Sequence, residues 1–100
     1  MTDLSIACRL TAPELQQRRA GVLRKVRAAA VEVKEREDGL AYRFPSDNDL
    51  LADLLTLIQL ERQCCPFLKF TLIVEAGEGP TWLELTGPSG TKEFLASMFE

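Results

Sequence analysis

The chain has 100 residues, of which 46% are hydrophobic and 27% charged, and these values predict one ordinary globular domain over residues 1–100. The formal net charge is −3. Nucleic-acid-binding proteins usually carry a basic excess, so no nucleic-acid partner is expected. No run approaches the ~18 apolar residues of a membrane span, and the N-terminus lacks the basic and apolar regions of a signal peptide. We therefore expect a cytoplasmic protein with no membrane segment.

The three cysteines and the absence of histidine limit the chemistry that the chain can perform. Without histidine, the chain lacks the commonest general base and the commonest metal ligand. An odd number of cysteines is atypical of a secreted disulfide framework, so reduced thiols are expected. Any reaction would use thiol, carboxylate, hydroxyl, lysine, arginine or tyrosine groups.

The hydrophobic pattern predicts five strands and three helices in the order βαββαββα. Apolar residues alternate with polar ones in the strands and recur every three or four residues in the helices. Thr11 and Glu14 form a capping box at the start of the first helix. The predicted strands cover residues 4–10, 31–34, 40–44, 67–74 and 82–86. The first predicted helix covers about 12–30 and the third covers 91–99. The second helix begins after the capping cluster 46–49 and ends at about residue 64.

The first six elements match the ferredoxin-like split β-α-β arrangement, which the last strand and helix extend. We therefore predict an α+β fold with a ferredoxin-like antiparallel sheet. In this arrangement strand 67–74 lies beside strand 4–10, so Cys8 would lie near Cys64 and Cys65. The first and last helices would begin at the same end of the sheet, where their free N–H groups would lower the pKa of a thiol.

The second predicted helix is unusually apolar, and its apolar arc is wider than one sheet contact requires. One explanation is a homodimer or partner interface through this helix. The other is a third layer of the same chain that covers the surplus. The apolar residues are Leu50, Leu51, Leu54, Leu55, Leu57, Ile58 and Leu60.

The adjacent residues Cys64 and Cys65 have a functional and a structural interpretation. Thiolates bind soft ions, so with Cys8 they would form a three-thiol site for copper(I), zinc, mercury or arsenic species. Glu61 lies four residues before Cys65 on the same helix face and would accept a proton or act as an auxiliary ligand. In the structural interpretation both cysteines are small buried core residues. Glu61 would then pair with one of the basic residues Arg9, Arg62 and Lys92.

A disulfide bond is a further alternative for these cysteines. Adjacent cysteines rarely bond each other because their sulfurs are poorly aimed. A bond from Cys8 to either Cys64 or Cys65 is more feasible.

The block Glu61-Arg62-x-Cys64-Cys65-Pro66-Phe67-Leu68-x-Phe70 resembles a group of small uncharacterised bacterial proteins. These proteins look similar over most of this length, including Cys8-x-Leu10-Thr11 and Leu85-Thr86-Gly87-Pro88-x-Gly90. The resemblance implies a setting of heavy-metal resistance.

A shorter segment resembles organomercurial lyase, which has an active cysteine followed shortly by aromatic residues. Here Cys64 or Cys65 is followed by Phe67 and Phe70. The resemblance implies that one of the two cysteines would hold mercury, with Cys8 as a second thiol. The lyase has an aspartate three residues after its other active cysteine, whereas this chain has Thr11 at that place. Glu61 would then be the nearby proton donor.

Three hypotheses follow for the function of the chain. The leading one is a cytoplasmic site that binds a soft metal or metalloid ion through Cys8, Cys64, Cys65 and Glu61. The second is a non-catalytic dimerisation or partner-docking module in which the cysteines only pack the core. The third is an enzyme with a reactive cysteine.

Overall fold

The computed structural model describes residues 13–99, which form three helices and four strands. This arrangement confirms the α+β class, and each predicted element in this range is found close to its predicted bounds. Strand 4–10 with Cys8, and the cap at Thr11, lie outside the described residues. The elements are α1 (Pro13–Ala29), β1 (Glu32–Arg36), β2 (Gly39–Phe44), α2 (Asn48–Cys64), β3 (Lys69–Val74), β4 (Thr81–Thr86) and α3 (Thr91–Phe99).

The four strands form one antiparallel sheet in the order β1-β2-β4-β3. β4 pairs with β2 on one side and with β3 on the other, so the β3–β4 hairpin folds back onto β2. The ferredoxin-like order is not confirmed, because β4 occupies the place beside β2 that this order gives to the first strand. Within the described sheet β3 lies at an edge. Pairing of β3 with residues 4–10 stays a prediction.

The core lies on one face of the sheet. Leu40 pairs with Leu85 and Tyr42 with Leu83, so all four side chains point to the same face. Each helix contributes to the same cluster, which places the three helices on this face. The helix residues that are buried in it are Val26, Leu50, Leu54, Leu57, Cys64 and Leu95.

Helix α1 packs along α2 and runs antiparallel to it. Arg19 contacts Glu61 near the end of α2, whereas Lys25, later in α1, contacts Asp53 earlier in α2. α1 therefore covers part of the wide apolar arc of α2 from within the same layer of helices. Leu55 is the one large apolar residue of α2 that stays exposed, at 49%.

Local signals in the sequence determine where α2 begins. Asp47 precedes the helix, and its Oδ1 atom accepts hydrogen bonds from the backbone N–H groups of Asp49 at 2.8 Å and Leu50 at 3.1 Å. These bonds satisfy two N–H groups that have no partner within the helix. The predicted capping cluster is thus confirmed at Asp47.

Candidate thiol site

The corner between α2 and β3 places both adjacent cysteines in the core. Pro66 disfavours a helical conformation at Cys65, which has φ −124° and ψ 74°. The helix accordingly ends at Cys64, as predicted. Both Cys64 and Cys65 are 0% exposed. Their complete burial agrees with the core-packing interpretation and leaves neither sulfur open to bulk solvent.

The two cysteines differ in oxidation state. Cys64 is disulfide-bonded, whereas Cys65 is a free thiol. The expectation of reduced thiols therefore holds for Cys65 and is wrong for Cys64. A disulfide requires two Cα atoms within ~7 Å, which is a tertiary condition that cysteine count alone does not determine. Cys8, the third predicted thiol, lies outside the described residues.

Glu61 is the charged centre of the site, and its side chain is only 1% exposed. The thiol of Cys65 donates to Glu61 Oε2 over a distance of 3.4 Å. The two side chains therefore share a helix face, as the spacing of four residues predicts. This contact places the Cys65 thiol, a group that binds soft ions, beside a carboxylate inside the core.

Arg19 of α1 forms an ion pair with this carboxylate. Its Nε atom donates to Glu61 Oε1 at 2.5 Å, and its Nη2 atom donates to Oε2 at 3.3 Å. The Arg19 side chain is 16% exposed, so it stands between the buried carboxylate and solvent. Two donors from one guanidinium fix both the position and the orientation of the carboxylate.

Arg19 was not among the predicted residues of the site. The predicted partners of Glu61 were Arg9, which lies outside the described residues, and Arg62 and Lys92, neither of which is its ion-pair partner. The order of apolar and charged residues within each of the two helices did contain a signal for this ion pair. Arg19 interrupts the apolar positions Leu15, Val22 and Val26 of α1, and Glu61 interrupts the positions Leu57 and Cys64 of α2. Opposite charges within two apolar stripes indicate a buried pair between facing helices.

Burial raises the pKa of the Cys65 thiol to about 12, and the charge and hydrogen bond of Glu61 add to this effect. Arg19 opposes it, since its positive charge favours the thiolate. The predicted lowering of the pKa by helix N-termini is therefore wrong for Cys65. A thiol that stays protonated at neutral pH is a poor nucleophile, which counts against Cys65 as a reactive cysteine.

The start of α3 packs against the same corner. The rings of Phe67 and Phe94 pack edge to face, with centroids 5.1 Å apart. A Cβ atom on Gly87 would lie 2.6 Å from Thr91 Oγ1 and 3.1 Å from the carbonyl oxygen of Phe67, so the loop requires glycine here. The buried Thr91 hydroxyl donates to the carbonyl oxygen of Pro88 at 2.6 Å. The loop before α3 is thus a tightly packed turn.

The described residues form only part of the proposed ion site. Among residues 13–99, no three histidine, cysteine, aspartate or glutamate side chains are grouped so that they could hold a metal ion. Glu61 and Cys65 are in contact, and the sulfur of Cys64 is engaged in a disulfide. A three-thiol site would therefore need reduction of that disulfide and the participation of Cys8.

A separate cleft of about 380 Å³ lies near the other end of α2. Its lining includes Lys25, Asp47, Asp49 and Asp53. Lys25 Nζ lies 2.9 Å from Asp53 Oδ2, so part of the charge in the cleft is already paired. Of the predicted site residues that the structure describes, Glu61, Cys64 and Cys65, none lines this cleft.

Comparisons of the chain with protein-family models, with curated proteins and with solved structures gave no match. In the part of the chain that the structure describes, no helix combines the length and apolar character needed to cross a bilayer. Because the comparisons gave no match, the chemistry of the thiol site rests on its own geometry.

Proposed function

We propose that the reduced protein binds a soft metal or metalloid ion through Cys8, Cys64 and Cys65, with Glu61 as the acceptor of a thiol proton. The observation that carries the proposal is the 3.4 Å contact between Cys65 Sγ and Glu61 Oε2. Soft ions bind the thiolate, and binding releases the thiol proton. A carboxylate in contact with the sulfur provides an acceptor where water has no access.

The burial of the site supports a role in binding rather than in catalysis by a free thiolate. The pKa of about 12 means that Cys65 keeps its proton until an ion replaces it. A coordinated thiol is deprotonated by the charge of the ion itself. The local resemblance of the segment from Cys64 to Phe70 to organomercurial lyase favours the same class of ligand.

The disulfide of Cys64 makes the proposed binding dependent on reduction. The chain has three cysteines, and Cys65 is free. Within the chain only Cys8 remains as a partner for Cys64, and we include a Cys8–Cys64 bond in the proposal. The antiparallel packing of α1 on α2 supports it, because Pro13 begins α1 at the end where α2 stops. The expected cytoplasmic location would supply the reductant.

Alkylation with iodoacetamide followed by mass measurement tests this pairing. Unreduced protein should take no label when folded and one label per chain when unfolded, because only Cys65 is a free thiol. Reduced and unfolded protein should take three, one for each cysteine in the sequence. A label on Cys8 in the unreduced protein would contradict the proposed bond.

Ion binding is tested by titrating mercury(II), zinc(II) and arsenite into reduced and unreduced protein, with calorimetry and native mass spectrometry as readouts. One ion per chain is expected for the reduced protein, and none is expected for the unreduced protein. The variant Cys64→Ser/Cys65→Ser should lose binding, whereas Ser97→Ala is the control that keeps every thiol. Unchanged binding in the double variant would refute the proposal.

A second candidate is a non-catalytic module that dimerises or docks a partner, with the cysteines as core packing. The 0% exposure of Cys64 and Cys65 favours this reading of the thiols. The partner surface would be the line formed by Leu51, Leu55 and Ile58, since Leu55 is exposed and its two neighbours are half-buried. Light scattering across concentration should then show a dimer that Leu55→Glu dissociates. A strict monomer at every concentration would exclude self-association through this line.

A further inference from the structure

Strand β1 forms one edge of the sheet. β2 lies on one side of it, and among the described residues no strand lies on its other side. The Val31 N–H group donates to the Arg43 carbonyl at 2.8 Å, and the Gly87 N–H group donates to the Asp38 carbonyl at 3.1 Å. The bonds of successive residues in a strand point to opposite sides. Odd-numbered residues of β2 therefore bond to β1, and even-numbered residues bond to β4.

This alternation determines which backbone groups of β1 face outward. Val33 pairs with Tyr42, and Glu35 pairs with Leu40. Because Tyr42 and Leu40 direct their backbone bonds to β4, the N–H and C=O groups of Val33 and Glu35 face away from β2. Within the described sheet these groups form an open edge, on which a further strand can add.

The side chain of Val33 adds apolar surface to this edge. It lies on the helix side of the sheet, in one row with Tyr42 and Leu83. Tyr42 and Leu83 are buried, whereas Val33 is 42% exposed. Val31, directly before the strand, is 57% exposed. The helices thus leave the apolar side chain of β1 only partly covered, and an added strand would bury more of it.

The order of charges along β1 favours a second copy of the same strand. The five residues are Glu32, Val33, Lys34, Glu35 and Arg36, so Val33 is the one uncharged residue. A twofold axis perpendicular to the sheet would place two copies antiparallel, with the residue at the axis opposite itself. A charged residue at the axis would face a like charge, which is destabilising. Only Val33 avoids this repulsion.

The neighbours of Val33 are complementary in the same register. Glu32 lies opposite Lys34 of the second copy, and Lys34 lies opposite Glu32 of that copy. Opposite charges at directly opposed positions stabilise an antiparallel pair. Both side chains lie on the open face of the sheet, where Lys34 is 49% exposed and Glu32 is 37% exposed. Their contact within one chain is long, at 3.7 Å, so each can take a partner across the axis.

We infer that a second copy of the chain adds its β1 to this edge, antiparallel and centred on Val33, and joins the two sheets into one. Charged residues on an edge strand usually prevent such pairing. Here their order disfavours the other registers and leaves this one. The surface includes no residue of the thiol site and none of Leu51, Leu55 and Ile58, so the inference is independent of ion binding.

Sedimentation velocity of the full-length protein across concentration tests the inference. The unsubstituted protein should reach twice the mass of one chain. Lys34→Glu puts a carboxylate opposite Glu32 of the second copy and should weaken the dimer by about tenfold, and Glu32→Lys should do the same. Glu32→Lys/Lys34→Glu restores opposite charges and should recover the dimer. A monomer at every concentration up to about 1 mM would overturn the inference.

A mixture of the two single variants tests the register. Each variant has like charges across its own dimer, whereas a dimer with one chain of each has opposite charges at both pairs. Native mass spectrometry of ¹⁵N-labelled Lys34→Glu protein with unlabelled Glu32→Lys protein should therefore show the mixed dimer in excess of random pairing. Random pairing would overturn the proposed register.

Two controls separate this edge from other contacts. Arg43→Gln removes the ion pair that Glu32 makes within its own chain, where Arg43 Nε lies 2.8 Å from Glu32 Oε1, and should leave the dimer unchanged. Leu55→Glu should also leave it unchanged. A dimer that dissociates with Leu55→Glu and not with Lys34→Glu would lie on α2 and overturn the inference. Circular dichroism checks that each variant is folded.

Amide hydrogen exchange reports on the edge itself. The Lys34 N–H group faces β2 and should be protected at every concentration, because Lys34 pairs with the odd-numbered Ala41. The Val33 N–H group faces outward and should gain protection only as the dimer forms. Protection of Val33 that does not change with concentration, in a sample whose mass doubles, would overturn the inference.

Discussion

Arg19 and Glu61 lie 42 positions apart in the chain and form the ion pair that joins α1 to α2 beside the cysteines. The Glu61 carboxylate is buried, and it also accepts the hydrogen bond of the Cys65 thiol. A buried ion pair contributes little net stability, but the loss of one member is costly because it strands the other charge. The pair therefore makes the packing of the two helices sensitive to single substitutions.

Arg19→Met should lower the free energy of unfolding by about 3 kcal/mol, because Glu61 would remain buried without its cation. Urea denaturation of the unreduced protein measures this loss. Arg18→Met is the matched control and should stay within about 0.5 kcal/mol, since Arg18 is exposed. The double variant Arg19→Met/Glu61→Met should recover much of the loss. Equal effects of the two single substitutions would show that the ion pair does not hold the helices.

Stability should fall with rising pH because of Cys65. The folded pKa is about 12, whereas the ordinary value of the thiol is 9.0. Between these values the unfolded chain loses the thiol proton and the folded chain keeps it, so the free energy of unfolding decreases as pH rises. Below about pH 8.5 the contribution of this thiol is fully present.

The measurement compares urea unfolding of the unsubstituted protein and Cys65→Ala from pH 7 to 11. The other groups that titrate in this range are common to both proteins. The difference between the two should therefore isolate the thiol, with the steeper loss in the unsubstituted protein. Parallel pH profiles would contradict the raised pKa of Cys65.

Two glycine substitutions should have opposite effects on stability. A Cβ atom on Gly39 would lie within van der Waals overlap of the backbone carbonyl of Leu85 across the sheet. Gly39→Ala should therefore destabilise the protein by about 2 kcal/mol. Gly21 lies on the exposed face of α1 with no atom within 4 Å of an added Cβ. Gly21→Ala should stabilise by about 0.5–1 kcal/mol, because alanine favours the helix.

Thermal unfolding of the two glycine variants gives the sign of each effect directly. The contrast between them tests the β2–β4 pairing, since only Gly39 lies against the neighbouring strand. Tolerance of Gly39→Ala would contradict the register in which Gly39 opposes Thr86.

Asp47→Ala should cost about 1 kcal/mol, because the N–H groups of Asp49 and Leu50 lose their side-chain acceptor. Ser46→Ala is the control at the preceding exposed position and should have little effect. The readout is the midpoint of urea unfolding. A similar shift for both variants would show that Asp47 does not cap α2.

The sequence by itself determined the bounds of most elements, because these depend on neighbours in the chain. Asp47 starts α2 through its own side chain, and Pro66 stops it through its ring. The two-residue turn Glu37-Asp38 joins β1 to β2, with Arg36 paired to Gly39. The spacing of Glu61 and Cys65 also determined that their side chains share a face.

Only the tertiary structure decided which strand lies beside β2, which cation pairs with Glu61 and which cysteine is oxidised. Each of these depends on segments that are distant in sequence and meet through packing. The predicted strand order did not foresee that the β3–β4 hairpin folds back onto β2, and the predicted partners of Glu61 did not include Arg19. The pKa of Cys65 also depends on packing, since burial of the thiol and its contact with Glu61 raise the pKa against the opposing effect of Arg19.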